Sequence, residues 1–247
     1  MRKSYFNVLL DVVDKEDALK MCDNALRGEI CQSLFFVNAH CYNIAQKDTA
    51  YRKALNAADL IFNDGIGLKI GSALAKIKFK DNLNGTDLIP EIIKSCVQLS
   101  KKIYLLGGKD DIAMKAKLTL EKRYVNISIV GIHNGYFSDE EERLIINDLN
   151  SKNVDVLIVG MGVPKQELWI TRIKGQLTSV KICIAGGAII DFIAGNVTRA
   201  PNWMRKMQIE WFYRLLLEPK RLWKRYLIGN VQFFYNIISH WIKVKHI

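Results

Sequence analysis

An α/β layer fold is predicted for this chain: a Rossmann-like, largely parallel sheet with flanking helices, followed by a C-terminal helical appendage. Three features predict it. Short apolar, β-branched runs alternate with longer stretches of helical period. That alternation is the pattern of a buried parallel sheet whose crossovers are helices. Near Arg199-Ala200-Pro201 the strands stop, and the sequence turns aromatic, basic and helical.

In chain order, strands are expected at 5–10, 34–38, 60–63, 103–106, 127–131, 154–160 and 181–185. Helices are expected between them at 15–26, 43–57, 88–99, 112–123, 139–150 and 165–173. Beyond them, Trp203, Met204, Met207, Trp211 and Leu215 fall on one side of a helical wheel, away from Arg205, Lys206 and Glu210. Pro219 suits the first turn of a further helix. The chain therefore divides into a core at 1–198 and an appendage at 199–247.

With 247 residues, 49% of them hydrophobic and only four Pro, the chain is long enough and apolar enough for one large core. Five scattered Cys without CxxC spacing imply reduced thiols in a cytoplasm rather than a disulfide framework or a zinc site. The basic start Met1-Arg2-Lys3 leads into an apolar run that Asp11 interrupts too early for a signal peptide. The stretch 226–242 has no formal charge but holds Asn230, Gln232, Asn236 and His240, so it reads as an interfacial or packed helix rather than a span. The net charge of +11 is uneven. From Arg199 onward ten Lys/Arg face only Glu210 and Glu218, a surplus of eight, which leaves +3 for residues 1–198. Such a basic end suits docking to something anionic: nucleic acid, phosphate or phospholipid.

In open α/β sheets ligands bind beyond the carboxyl ends of the strands. Polar and glycine residues gather at those ends: Asn38-Ala39-His40, Asn63-Asp64-Gly65, Gly107-Gly108, Gly160-Met161-Gly162 and Gly186-Gly187. Glycines there let backbone approach a phosphate, and helix N-termini favour negative charge. A dinucleotide fingerprint would need Gly where Lys165 stands, and no GxxxxGK[ST] run occurs, so dehydrogenases and P-loop enzymes are disfavoured. Asp64 has two readings. Its carboxylate can take a proton from an attacking hydroxyl, or it is an Asp-Gly turn residue capping the next helix. Glu167 can complement the dipole of the helix that Gln166 opens, with Trp169 in the core. His40 and His133 have no ligand spacing. No Asp-x-Asp pair occurs, so the usual carboxylate clamp for a metal–diphosphate is missing and a mechanism without metal or other cofactor is expected.

Together these motifs resemble the WecG/TagA/CpsF family of bacterial glycosyltransferases, from about residue 35 to 226. The resemblance rests on Asn38, Ala58-Asp59-Leu60 leading into Asp64-Gly65, Gly85-Thr86-Asp87-Leu88, Gly107-Gly108 and Gly135-Tyr136-Phe137. It continues through Gly162-Val163-Pro164-Lys165-Gln166-Glu167-Leu168-Trp169, Gly186-Gly187, Asp191-Phe192 and Arg199-Ala200-Pro201-x-Trp203. It ends on Glu210-Trp211-x-Tyr213-Arg214-Leu215, Glu218-Pro219-x-Arg221 and Arg225-Tyr226. The resemblance implies inverting transfer of an N-acetylmannosamine-like sugar, or another hexose, from a UDP-sugar to an undecaprenyl-diphosphate-linked acceptor.

The implied pathways are teichoic acid, capsule or other surface polysaccharide synthesis, on the inner face of the cell membrane. The implied roles are general base for Asp64, and donor contacts for Asn38, Gly108, Tyr136, Gly162, Lys165, Gln166, Gly187 and Asp191. Arg214, Arg221 and Arg225 would meet the acceptor diphosphate. Implied partners are the two substrates and an anionic membrane surface; nucleic acid is not among them, and homo-oligomerisation stays open. Two positions depart from the family pattern: Phe36 where relatives often carry Thr, and Asn82 where they often carry Arg. Rival readings are a basic nucleic-acid-binding protein with a non-catalytic core, which would show steep salt dependence, and a nucleotide-sugar epimerase.

Overall fold

The computed structural model describes residues 1–245; His246 and Ile247, the last two residues assigned to the appendage, lie outside the described residues. The chain opens with a hairpin, β1 (Arg2–Tyr5) and β2 (Val8–Asp11). The expected single strand at 5–10 is thus folded back on itself at Phe6, whose φ of 56° turns the chain. Phe6 is held there by ring packing against Tyr5 and Tyr42. The alternating units follow: α1 (Lys15–Arg27), β3 (Gln32–Val37), α2 (Ala39–Lys47), α3 (Thr49–Asn56), β4 (Leu60–Asn63) and α4 (Ile66–Gly71). Next come α5 (Gly85–Gln98), β5 (Lys102–Gly107), α6 (Asp110–Arg123), β6 (Ser128–His133), α7 (Asp139–Ser151), β7 (Val156–Gly160), α8 (Lys165–Ile173) and β8 (Ile182–Ala185).

The helix expected at 43–57 is two helices. Asp48 breaks it by accepting from the Tyr51 amide at 2.9 Å, capping α3. Asn38 starts α2 four residues early by accepting from the amides of His40 and Cys41 at 3.0 and 3.1 Å.

Strands β3 to β8 form one parallel six-stranded sheet in the order β4-β3-β8-β7-β5-β6. Successive residues face opposite layers. Leu34, Phe36, Leu60 and Phe62 pack with α1 and α5, while Phe35, Val37 and Ile61 pack with α2, α3 and α8. Apolar side chains on both faces explain why the strands read as continuous hydrophobic runs.

Beyond β8 lie α9 (Ile189–Ile193), α10 (Asn202–Lys206), α11 (Glu210–Leu217), α12 (Pro219–Trp223), one π-helical turn (Lys224–Ile228) and α13 (Gly229–Lys245). Pro219 does take the first position of α12. The single apolar stripe expected over 203–215 is not formed, because Gln208 (φ 58°) separates α10 from α11. Met204 is buried, whereas Trp203 and Met207 are exposed. Helix α13 packs on α2, with Phe233 and Ile237 buried in the core that Tyr5 and Tyr42 share. At roughly 1.5–3 kcal/mol for a large apolar side chain, these two anchors alone hold α13 firmly. Arg199 ties the start of this region to α5 through a fork on Glu210 (2.9 and 3.2 Å) and a bond to Asp87 at 2.5 Å.

Candidate functional site

Register alone brings the first two site residues together. Val37 pairs with Asn63 at the ends of β3 and β4, so Asn38 and Asp64 emerge side by side at the carboxyl edge. The Asp64 amide donates to the Val37 carbonyl at 2.7 Å, which fixes the turn. Asn38 spends its oxygen on capping α2 and turns its NH₂ toward Asp64, 3.4 Å from Oδ2. Gly65 follows at φ 86°, a conformation that disfavours any side chain, and it is Gly65 that stands at the cap position of α4. The Asp64 carboxylate makes no capping bond, so the turn-residue alternative does not account for it. Burial pushes the Asp64 carboxyl above the usual aspartate range, with the Asn38 amide and the Arg225 charge pulling the other way.

Of the two departures from the family pattern, Asn82 sits against this turn and Phe36 lies in the neighbouring strand β3. Asn82 accepts from the Gly65 amide at 2.6 Å, so a neutral side chain holds the loop. Phe36 is almost fully buried, packs near Phe62 at 6.2 Å between ring centroids, and lines the cavity described next.

A cavity of about 990 Å³ spans the carboxyl ends of the sheet. Asn38 and Asp64 form one end, and Gly108, Gly162 and Gly187 supply backbone along its floor. Tyr136 stands at the rim, 71% exposed. The close approach of β5 and β7 depends on Gly107, where an added Cβ would lie 2.5 Å from the Gly160 carbonyl oxygen. Lys165, Gln166 and Asp191 line the walls, and Arg214, Arg221 and Arg225 reach in from the appendage. Every residue nominated from sequence therefore meets in one space. Among the described residues its charge is lopsided: seven Lys/Arg line it against Asp64 and Asp191. Lys47, Lys109 and Lys224 were not nominated, although Lys109 directly follows the Gly107-Gly108 pair.

Each cation is engaged differently. Lys165 donates to the Gly135 carbonyl at 3.0 Å and sits 5.1 Å from the centre of the Phe137 ring. Arg221 pairs with Glu218 at 2.8 Å. Arg214 stacks on Phe192 and Arg225 on Tyr226, at 5.4 and 5.5 Å. Neither of these two has a carboxylate within 4.0 Å among the described residues, and the Nε atom of each is buried without a hydrogen-bond partner. His40, which lines the same cavity, is pushed down to about 4 by burial and by the Arg225 charge, so it stays neutral near pH 7.

Gln166 is buried, and its carbonyl oxygen accepts from the amides of Gly162 and Gly187 at 3.2 and 3.1 Å. It thus staples the β7 and β8 loops together, and its NH₂ donates to Glu167 at 2.8 Å. Glu167 is wholly buried, and its second oxygen has no partner. Burial raises its carboxyl to about 7, with the Gln166 amide opposing. The folded protein holds this proton up to about pH 7, whereas an unfolded glutamate releases it near 4.3. Stability contributed by the neutral form is therefore lost as pH rises through that window. Glu167→Gln should be indistinguishable from the parent at pH 4 and more stable by about 3 kcal/mol at pH 8, roughly 6–12 °C in Tm. Parallel Tm–pH curves for the two proteins would show that Glu167 stays charged.

A cation-lined cleft over the carboxyl edge of a parallel sheet, with the half-buried Asp64 carboxylate facing it without a salt bridge, suits a group-transfer enzyme for anionic substrates. The profile of the glycosyl transferase WecG/TagA/CpsF family matches residues 3–247, and the chain belongs to that family. It is a glycosyltransferase. The N-acetylglucosaminyldiphosphoundecaprenol N-acetyl-beta-D-mannosaminyltransferase of Bacillus subtilis (strain 168) is 34% identical over 191 residues, covering 77% of this chain and 73% of that protein. The protein of the same name from Staphylococcus aureus (strain MRSA252) is 32% identical over 241 residues, covering 94% and 91%. A nucleic-acid-binding protein with an idle core is not favoured by these relatives.

Proposed function

We propose that this glycosyltransferase moves an N-acetylmannosamine-like sugar, or another hexose, from a UDP-sugar to an undecaprenyl-diphosphate-linked sugar, with inversion. The observation that carries this reading is Asp64, a half-buried carboxylate at one end of a cavity lined, among the described residues, by seven Lys/Arg. The names of the relatives supply the substrate class. In the reaction the acceptor hydroxyl attacks the anomeric carbon and its proton passes to Asp64. The bond to the β-phosphate breaks, and its electron pair leaves with UDP.

Backbone amides of the glycine loops and the arginine forks stabilise the charge that develops on the leaving diphosphate. Asn38 orients Asp64, and Gln166 sets the spacing of the loops that bear Gly162 and Gly187. Phe36, which lines the cavity, and Asn82, which holds the Asp64 turn, are the positions where a difference in donor or acceptor sugar from the relatives would arise.

Transfer from UDP-N-acetylmannosamine to undecaprenyl-diphosphate-N-acetylglucosamine, within a panel of UDP-sugars, tests the reading. Positive side chains take the place of a metal clamp here, so turnover should survive exhaustive chelation. Loss on chelation with recovery on Mg²⁺ or Mn²⁺ would point instead to carboxylates gathered from separate loops.

No helix among the described residues is long and apolar enough to cross a membrane. Among the described residues, twelve of the twenty exposed large apolar side chains nevertheless lie beyond residue 199, in the region that carries the surplus of eight positive charges. Residues 199–247 would therefore act as a unit that seats the enzyme on the anionic inner leaflet, at about 1 kcal/mol per Lys/Arg near the surface. The full-length protein should sediment with anionic vesicles at moderate salt and remain in solution with neutral ones. Indifference to lipid charge would defeat the membrane role.

A further inference from the structure

Asp64 borders two spaces. A second cavity of about 490 Å³ shares Asn38, His40, Asp64, Phe192, Arg214 and Arg225 with the first and then diverges from it. The large cavity runs over the glycine loops of β5, β7 and β8, whereas the second runs between α4 and α10–α11, closed by α13. Asp87 and Glu210 also line it, but both are paired with Arg199, and Asp87 lies 4.0 Å from Arg205; other polar atoms of the lining are unsatisfied. Arg205 Nε and Gln208 Oε1 are buried there without hydrogen-bond partners, beside the equally unpartnered Nε atoms of Arg214 and Arg225. Buried polar groups without partners are costly to leave unpaired, so a ligand that satisfies them gains affinity. Ile70, Trp211 and Phe234 supply apolar surface for the face of a sugar ring.

Inversion requires the nucleophile and the leaving diphosphate on opposite faces of the donor sugar, with the base beside the nucleophile. One space on each branch from Asp64 meets that demand. We propose that the second cavity is the acceptor subsite, taking the sugar and diphosphate of a polyprenyl-diphosphate-linked glycoside, with Gln208 and Arg205 as its specificity contacts. This rests on the glycosyl-transfer reading above. It divides the cations in two: Arg221, Lys109 and Lys165 line only the large cavity and serve the donor diphosphate, whereas Arg205 and Lys206 line only the second. Gln208 Oε1 accepts from a sugar hydroxyl or acetamido N–H, and Arg205 donates to a phosphate or hydroxyl oxygen.

The test uses full-length Gln208→Leu, Arg205→Met and Ile70→Trp with a short-chain polyprenyl-diphosphate-N-acetylglucosamine. The last substitution narrows the mouth from an exposed position and so leaves folding intact. Each should raise the acceptor KM about 10-fold or more, the size of one lost contact to a charged or buried group. The donor, titrated by calorimetry as UDP, should bind each variant as it binds the parent. An unchanged acceptor KM in all three, or UDP affinity falling in parallel with it, overturns the subsite. If the parent enzyme transfers nothing to this acceptor, the functional reading fails and the subsite with it; transfer by the parent with unaltered variants sinks the subsite alone.

Discussion

Asp64→Asn is expected to lower kcat by two or more orders of magnitude while leaving UDP affinity unchanged. A positioned base contributes about 10²–10⁴-fold, and Asn cannot take the proton from the acceptor hydroxyl. The substitution keeps shape and the backbone turn, because the turn is fixed by Asp64 N–H to Val37 and by Gly65 to Asn82, not by the carboxylate. The acid limb of kcat/KM should also lie above the ordinary aspartate value, because burial disfavours the charged form. Near-normal turnover in the Asn variant would reduce Asp64 to a turn residue.

The second large effect concerns Arg214 and Arg225. Both reach the junction of the two cavities, both lack a carboxylate within salt-bridge distance, and both hold a buried Nε without a partner. Uncompensated guanidinium groups facing a cleft are poised for phosphate oxygens, and hydrogen bonds between charged groups are worth about 1.5–3 kcal/mol each. The double variant Arg214→Gln/Arg225→Gln should therefore lose about 10²–10⁴-fold in kcat/KM. Arg221→Gln should lose less, since Glu218 already takes part of its charge. Arg225→Gln carries an independent signature. Its charge lowers the pKa of both Asp64 and His40, so its removal should move the acid limb of the rate profile to higher pH. An unmoved limb would mean that Arg225 does not sense the base.

Much of this was legible in the sequence wherever local rules governed. The strand at Leu60–Asn63 and the helix at Lys165–Ile173 match their expected limits, because a buried apolar run and a Pro-initiated helix each specify themselves. The nominated core residues converge because they stand at or just beyond the carboxyl ends of parallel strands, where topology gathers them, while Arg214, Arg221 and Arg225 reach the same space from the C-terminal helices. Failures came where one side chain overrode periodicity. Asp48 cut a helix in two by capping, and Phe6 and Gln208 turned the chain with positive φ outside glycine.

What no spacing could show was which atoms remain unoccupied. Gln166 spends its amide on Gly162, Gly187 and Glu167, whereas Gln208 Oε1 and Arg205 Nε are buried without a hydrogen-bond partner. That contrast depends on contacts between loops far apart in sequence.

The central claim is single displacement assisted by one carboxylate, and the configuration of the product tests it most directly. An α-linked UDP-sugar, a polyprenyl-diphosphate acceptor and the full-length enzyme are incubated, and the new linkage is assigned by the one-bond anomeric C–H coupling. The expected product is a β-linked sugar, formed by backside attack with Asp64 as base. An α-linked product would contradict it, requiring either a covalent sugar–enzyme intermediate or attack on the same face as the departing UDP.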